Sequence, residues 1–543
     1  RNTTGGAVNF ITKRPSEESD ITLEGTYGNF NLQKIKLSGN SGELGNSLKL
    51  SGALSYRKRD GSQDDLLSPD DQDPGAFEST AGRIGVEFDP TPSSNVYYTF
   101  DFADSTNYSP AFQTTLVAPQ VAGFLANSTT TAGCNLNVTS GRAETVCLND
   151  QAGVESQTTG HTLKIENDFG PVTLRSTTGV RTWEDSIANS DIDGFGTING
   201  PSFSQATLFN GLPASLTSFI FPDPVPATAV NETALFVETL AVPTADISLF
   251  SATNEREQDQ WSQEFELLSN SDGNFDWVVG AFYFKEVSSE DNGQFAGFVL
   301  DTNTILGGIP GLGAGLAAAN LPQNQFRALL APSQVVYETD AESYALYGQG
   351  TYRPAGPDGA FGLTVGLRHT WDEKSINQTL AILNNDSFSD SAVTGHITAD
   401  YRFNRDVNGY AKYSRGYRSG GFNIRSVQDP FESEFIDSYE AGLKTELANG
   451  LVRLNGAVFF SEYTDEQITQ PIATTGGGFQ TQIVNAGATE YTGIELEMLA
   501  KPSDALTLNA SFGYTDREVK EFPFQDATTN GLINIANEIT PGS

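Results

Sequence analysis

The chain has 543 residues, with 31 Lys and Arg against 68 Asp and Glu, a formal charge of −37, 54 Gly, 35 Phe, 18 Tyr and two Cys. So acidic a chain lacks the clustered Lys and Arg that phosphate neutralisation requires, which excludes nucleic acid as a partner. No apolar run of roughly eighteen residues free of Gly and Pro is present, which excludes transmembrane helices, and no low-complexity linker divides the chain into separate domains.

The first residues, RNTTGGAVNFITKRP, have no initiator Met and no signal-peptide pattern before Arg1, and they read as the end of a domain that begins upstream. Gly5 and Gly6 open an alternating strand, Ala7 to Thr12, which Lys13, Arg14 and Pro15 terminate. Further on, the dominant signal is a two-residue alternation over segments of about ten residues, the length a tilted strand needs to cross a membrane. Leu48, Leu50, Leu54 and Tyr56 share one face against Lys49, Ser51, Ala53, Ser55 and Arg57. Val452, Leu454, Val458 and Phe460 oppose Arg453, Asn455, Ala457 and Ser461, with Phe459 as the exception. Leu506, Leu508, Ala510, Phe512 and Tyr514 repeat the pattern against Thr507, Asn509, Ser511, Gly513 and Thr515.

Alternation alone also fits a soluble β-sandwich, so connection lengths have to discriminate. Short turns at 42–47, 90–95, 170–171, 271–274, 355–360, 404–406, 448–450 and 503–505 alternate with predicted long loops at 61–77, 103–155, 185–259, 286–340, 374–388, 418–434 and 466–479. The uncharged run 302–326, interrupted by Gly and Pro, falls inside one of them. Turns at one end of a sheet and long loops at the other are the pattern of a transmembrane β-barrel, whose closure removes edge strands that lipid cannot hydrogen-bond. The predicted fold is therefore all-β, a transmembrane antiparallel barrel with about seventeen strands between Asp20 and Thr515, an odd count where single-chain bacterial barrels have even ones. Tyr27, Tyr56, Tyr98, Trp371, Tyr413, Tyr417, Tyr463 and Tyr514 stand near strand ends, where interfacial aromatic girdles lie.

Four strings now carry a family likeness in order: KYSRGYRSGGFN (412–423), EAGLKTE (440–446), GAVFFSEYTDEQ (456–467) and YTGIELE (491–497). With the Gly-Gly strand at the N-terminus, the chain resembles the TonB-dependent outer-membrane receptors. The resemblance implies a barrel of about 22 strands around a plug, residues 1–18 as the C-terminal end of that plug (Arg1, Gly5 and Gly6 in its closing motif), and 19–543 as part of the barrel. It marks Gly416, Tyr417, Gly420, Gly421, Phe422 and Asn423 as the barrel motif. It implies residence in the bacterial outer membrane among its lipids, contact with TonB through plug sequence lying before Arg1, and barrel strands following Ser543. The implied activity is active import of a small molecule, a ferric siderophore being the commonest cargo; cobalamin or an oligosaccharide is the alternative, with a passive porin, an adhesin or a soluble β-rich secreted protein further off.

On that topology Arg57, Arg181, Arg368, Arg415 and Arg418 fall at or near outward strand ends, where guanidinium groups would attract an anionic ferric chelate. Cys134 and Cys147 lie within one loop and are expected to pair in an oxidising compartment. The isolated His161, His369 and His396 argue against haem, and Asp70, Asp71, Asp73 and Gly75 lack calcium-loop spacing. No catalytic motif, cofactor fingerprint or metal-ligand set is present, so no enzyme activity, cofactor or metal is expected.

Overall fold

The computed structural model describes residues 11–45, 47–113, 115–116, 141–148, 152–191, 198–201, 244–247, 250–270, 273–301, 326–380, 384–424, 430–473, 479–485, 487–525 and 532–534. Among them, one antiparallel sheet of 17 strands dominates, and each strand pairs with the next in the meander. In chain order the strands are β1 (Ser19–Gly28), β2 (Leu32–Leu44), β3 (Leu48–Arg59), β4 (Phe77–Thr91), β5 (Ser94–Asn107), β6 (Val154–Asp168), β7 (Val172–Asp191), β8 (Phe250–Ser269) and β9 (Phe275–Asp301). They continue as β10 (Phe326–Tyr352), β11 (Phe361–Leu380), β12 (Asn384–Arg402), β13 (Val407–Arg418), β14 (Glu434–Leu447), β15 (Val452–Thr464), β16 (Ala488–Ser503) and β17 (Leu506–Val519). The strand count is the one expected from the alternation, and the sheet runs from Ser19 to Val519 where Asp20 to Thr515 was expected.

Register puts the apolar alternates in continuous rows. Leu23 faces Leu37, which faces Leu54, and Val365, Ile397, Tyr413, Tyr439 and Phe460 form one row across five strands. These side chains project away from the sheet, Leu23 being 72% and Leu367 63% exposed. In water, burying a leucine stabilises by about 1.5–3 kcal/mol; a sheet that instead presents whole rows of them is built for hydrocarbon on that side. The opposite, inner face carries the polar alternates.

Three predicted loops are shortened, because β-ladder continues past the apolar segments. The 286–340 loop is largely replaced by the facing strands β9 and β10, in register to the Asp301–Phe326 pair. In 374–388, β11 and β12 pair up to Gln378 and Asn384, and β7 and β8 extend into 185–259 to the Asp191–Ser251 pair. These extensions do not keep a strict apolar–polar alternation, Val335, Val336 and Tyr337 being adjacent, so no period of two marks them; backbone ladders hold the hairpins together with cross-strand side-chain bonds such as Ser288–Thr339 and Tyr337–Glu290.

The most deeply buried apolar cluster lies among the long links and not between packed layers. Ala143, Val146 and Leu148 pack with Ala111, and Asp64–Asp65 forms a short parallel pairing with Thr145–Val146. The Asp65 carboxylate, 2% exposed, accepts hydrogen bonds from Leu148 N (3.0 Å), Leu67 N (3.3 Å) and Ser68 Oγ (2.6 Å). A charge so buried is tolerated because its oxygens are satisfied by donors.

Candidate functional site: the inner wall and its loop junction

The inner face is a lattice of charged and phenolic groups set by strand register. Arg175 on β7 donates to Glu166 on β6 (2.6 Å) and to Glu266 on β8 (3.1 Å). Tyr347 on β10 shares its hydroxyl proton between Glu264 (2.7 Å) and Glu266 (3.0 Å). Arg353 grips Asp400 with two parallel bonds of 3.0 and 3.1 Å, the bidentate geometry that makes arginine–carboxylate pairs strong.

The segment before β1 reaches this same face. Arg14 Nη1 lies 3.2 Å from Glu87 Oε1 and 3.3 Å from Asn95 Oδ1, and its guanidinium covers the Tyr97 ring at 4.9 Å. Glu87 is 7% exposed, so Arg14 supplies a countercharge to a carboxylate that water scarcely reaches.

The five arginines marked from sequence part company. Arg57 and Arg181 are on the inner face, Arg57 over the Phe77 ring (4.3 Å) and Arg181 paired with Asp101 (3.0 Å). Arg368 is also inward, lying between the rings of Phe282 and Tyr347 (5.4 and 5.3 Å), with Nε donating to Thr370 Oγ1 and Nη2 buried without a hydrogen-bond partner. Arg415 shares the outward row of Leu367 and Gly395, where it pairs with Asp437 (3.0 Å). Arg418 lies 3.7 Å from the buried Glu434. Sequence reading passed over Lys34, Lys36, Arg59, Glu264, Glu266 and Tyr347, although their alternation with Ile35, Leu37, Phe265 and Leu346 carried the signal.

The barrel motif forms a junction. Above Gly395 and Arg415, β13 leaves β12, and its end turns toward the inner face: Tyr417, expected in an outer girdle, is only 5% exposed and donates to Asp372 Oδ2 at 2.6 Å. Lys374 Nζ donates to Gly420 O (2.5 Å) and Gln378 Nε2 to Ile424 O (2.8 Å). Gly421 bridges Phe431, and Asn423 bonds both backbone groups of Ile483 in the hairpin Gln467–Ala473 with Phe479–Asn485. Asn485 and Gln467 then fasten that hairpin to Glu432. Two long links and the β11–β12 hairpin are thus tied at one point.

The family model described as "TonB dependent receptor-like, beta-barrel" matches residues 239–537. The chain belongs to this family. TonB-dependent receptor barrels are also its structural neighbours. FyuA, the ferric yersiniabactin uptake receptor of Yersinia pestis, is 16% identical with a TM-score of 0.62 over 94% of this chain and 62% of that one. The siderophore receptor PiuA of Acinetobacter baumannii is 13% identical with a TM-score of 0.62 over 97% and 68%. Fiu, the ferric-catecholate import receptor of E. coli K12, is 15% identical with a TM-score of 0.58 over 96% and 67%. At such identities the likeness establishes the fold alone, a β-barrel that the family places in the outer membrane, and the chain spans 62% of the length of FyuA. On this family's barrel the long links are the extracellular loops and the short ones the periplasmic turns, except the three-residue β1–β2 turn at 29–31, which lies at the extracellular end beside Asp60, and the motif junction stands at the extracellular end of the lumen wall.

Arg1, Gly5, Gly6 and Cys134 lie outside the described residues. Cys147 is buried and disulfide-bonded. Beside this loop, burial and then the nearby Asp71 raise the phenol of Tyr108 above its ordinary value.

Proposed function

We propose that this chain is the barrel portion of a TonB-dependent receptor that actively imports a small molecule, with a ferric siderophore as cargo. Residues 1–18 are then the end of the plug and 19–543 part of the barrel, and TonB acts on plug sequence preceding Arg1. The observation that carries this reading is Arg14: residues 11–18, which form no strand, are fastened through it to Glu87 and Asn95 on the inner wall, where a polypeptide leaving a lumenal plug must pass. A passive pore has no need of such a tether. The siderophore assignment rests on the receptors named above and on inward cations such as Arg57 and Arg368, whose guanidinium groups suit oxyanion donors. Cys134 and Cys147 would close a disulfide within the extracellular β5–β6 loop.

The test is energised uptake of a panel of labelled ferric siderophores by cells carrying the gene, with and without an active TonB system. Accumulation of one chelate only when TonB is active supports the reading. Failure across the panel points to cobalamin or an oligosaccharide, and uptake indifferent to TonB leaves a passive pore.

A further inference from the structure

A cavity of about 700 Å³ opens on the inner wall near the extracellular ends of β2 to β5, a volume typical of small-molecule sites. Register builds it as a row: Lys34 faces Arg57, Arg57 faces Ser79, and Ser79 faces Ser105. Lys36 and Arg59 flank that row, and Phe77 forms a floor under both guanidinium groups, 4.3 Å from Arg57 and 5.1 Å from Arg59.

Charge makes the place unusual in a chain of net −37. Lys34 has one carboxylate nearby, Glu24 at 3.9 Å, while Lys36 and Arg57 repel its charge from the same face. Among the described residues neither Lys36 nor Arg57 forms an ion pair. Arg59 donates Nη2 to the Gly75 carbonyl (2.8 Å), and its Nε is buried with no partner. The carboxylates of Asp71 and Glu78 pair instead with Lys58, which alternation places on the opposite face. Four cations thus converge with a single acid among them, Glu24, which faces Lys36 in register and lies 3.9 Å from Lys34, backed by hydroxyl donors and an aromatic floor.

We propose that this cavity is a binding subsite for a small polycarboxylate. Two planar guanidinium forks match carboxylate oxygens in pairs, two ammonium groups add point charge, and Ser79 and Ser105 donate to remaining oxygens. Its position on the inner face removes it from lipid headgroups, so the ligand arrives through the lumen. The identity of that ligand as a chelated cargo rests on the import reading; the anion site itself rests on the geometry.

The experiment is calorimetric titration of the full chain in uncharged detergent with citrate at low ionic strength. Wild-type protein is compared with R57Q, K36Q/R57Q and K58Q, each first shown by circular dichroism to keep its sheet. Expected are citrate binding that weakens with added salt, a loss of tenfold or more in K36Q/R57Q, an intermediate loss in R57Q, and wild-type affinity in K58Q. No citrate binding by the wild type, or equal affinity in K36Q/R57Q and K58Q, overturns the proposal. Citrate binding retained in a chain that shows no energised uptake of any chelate counts against import alone; uptake retained without citrate binding counts against the subsite alone.

Discussion

Asn423 closes a two-bond ring with the backbone of Ile483: its Nδ2 donates to the carbonyl at 3.0 Å and its Oδ1 accepts from the amide at 2.7 Å. One carboxamide therefore takes the place of a neighbouring strand for the extracellular hairpin Gln467–Ala473 with Phe479–Asn485. Asn423→Ala removes both bonds, each contributing about 0.5–1.5 kcal/mol net. Amide exchange in 479–485 should speed up by about tenfold while β16 keeps its protection. Unchanged exchange in the hairpin would show that Gln467 and Asn485 hold it unaided.

Gly420 is where the motif cannot carry a side chain. A Cβ there would overlap the carbonyl oxygen of Phe431 and stand 2.6 Å from the Phe388 ring. Gly420→Ala should cost about 1–3 kcal/mol, as overpacking does, seen as a lower thermal midpoint or as protease sensitivity in 419–433. Gly25→Ala, where an added Cβ meets nothing within 4 Å, should stay within about 0.5 kcal/mol of the parent. Equal effects at the two positions would remove the steric explanation.

Arg14 should govern how firmly the segment before β1 is held. Its side chain is 39% exposed while that of Glu87 is 9% exposed, so solvent screens the pair from one side and about 1 kcal/mol is expected from Arg14→Ala. Limited proteolysis at 11–18 should accelerate severalfold in Arg14→Ala, whereas Arg14→Lys should retain much of the protection. Identical cleavage in all three proteins would place the anchor elsewhere.

Tyr108 predicts an alkaline weakness in the extracellular loops. Its folded-state phenol titrates above the ordinary value, about 10, because burial and Asp71 disfavour the phenolate. With the folded value raised, the associated stability is complete below about pH 10 and is lost as pH climbs through the folded value. Absorbance of phenolate should show one fewer late-titrating group in Tyr108→Phe than in the parent, and the parent's loops should become protease-sensitive over the same range. Coincident titration curves for the two proteins would refute the assignment.

What the sequence determined by itself was the wall. Strand number, the outward row that includes Leu37 and Leu54, and the alternation of short and long links all follow from a period of two, and that period is a local property set by which side of a pleat each residue occupies. Tertiary structure decided what happens beyond the apolar band. There, β9 to β12 run on through residues without a regular apolar alternation, and Tyr417 leaves its expected outward position once β13 separates from β12. Asn423 finds Ile483 across sixty residues of chain, and Arg14 finds Glu87 across 73. The convergence of Lys34, Lys36, Arg57 and Arg59 needed the register between two strands as well as the alternation within each. Such contacts depend on partners brought close by strand pairing and not on neighbours in sequence, so no local pattern encodes them.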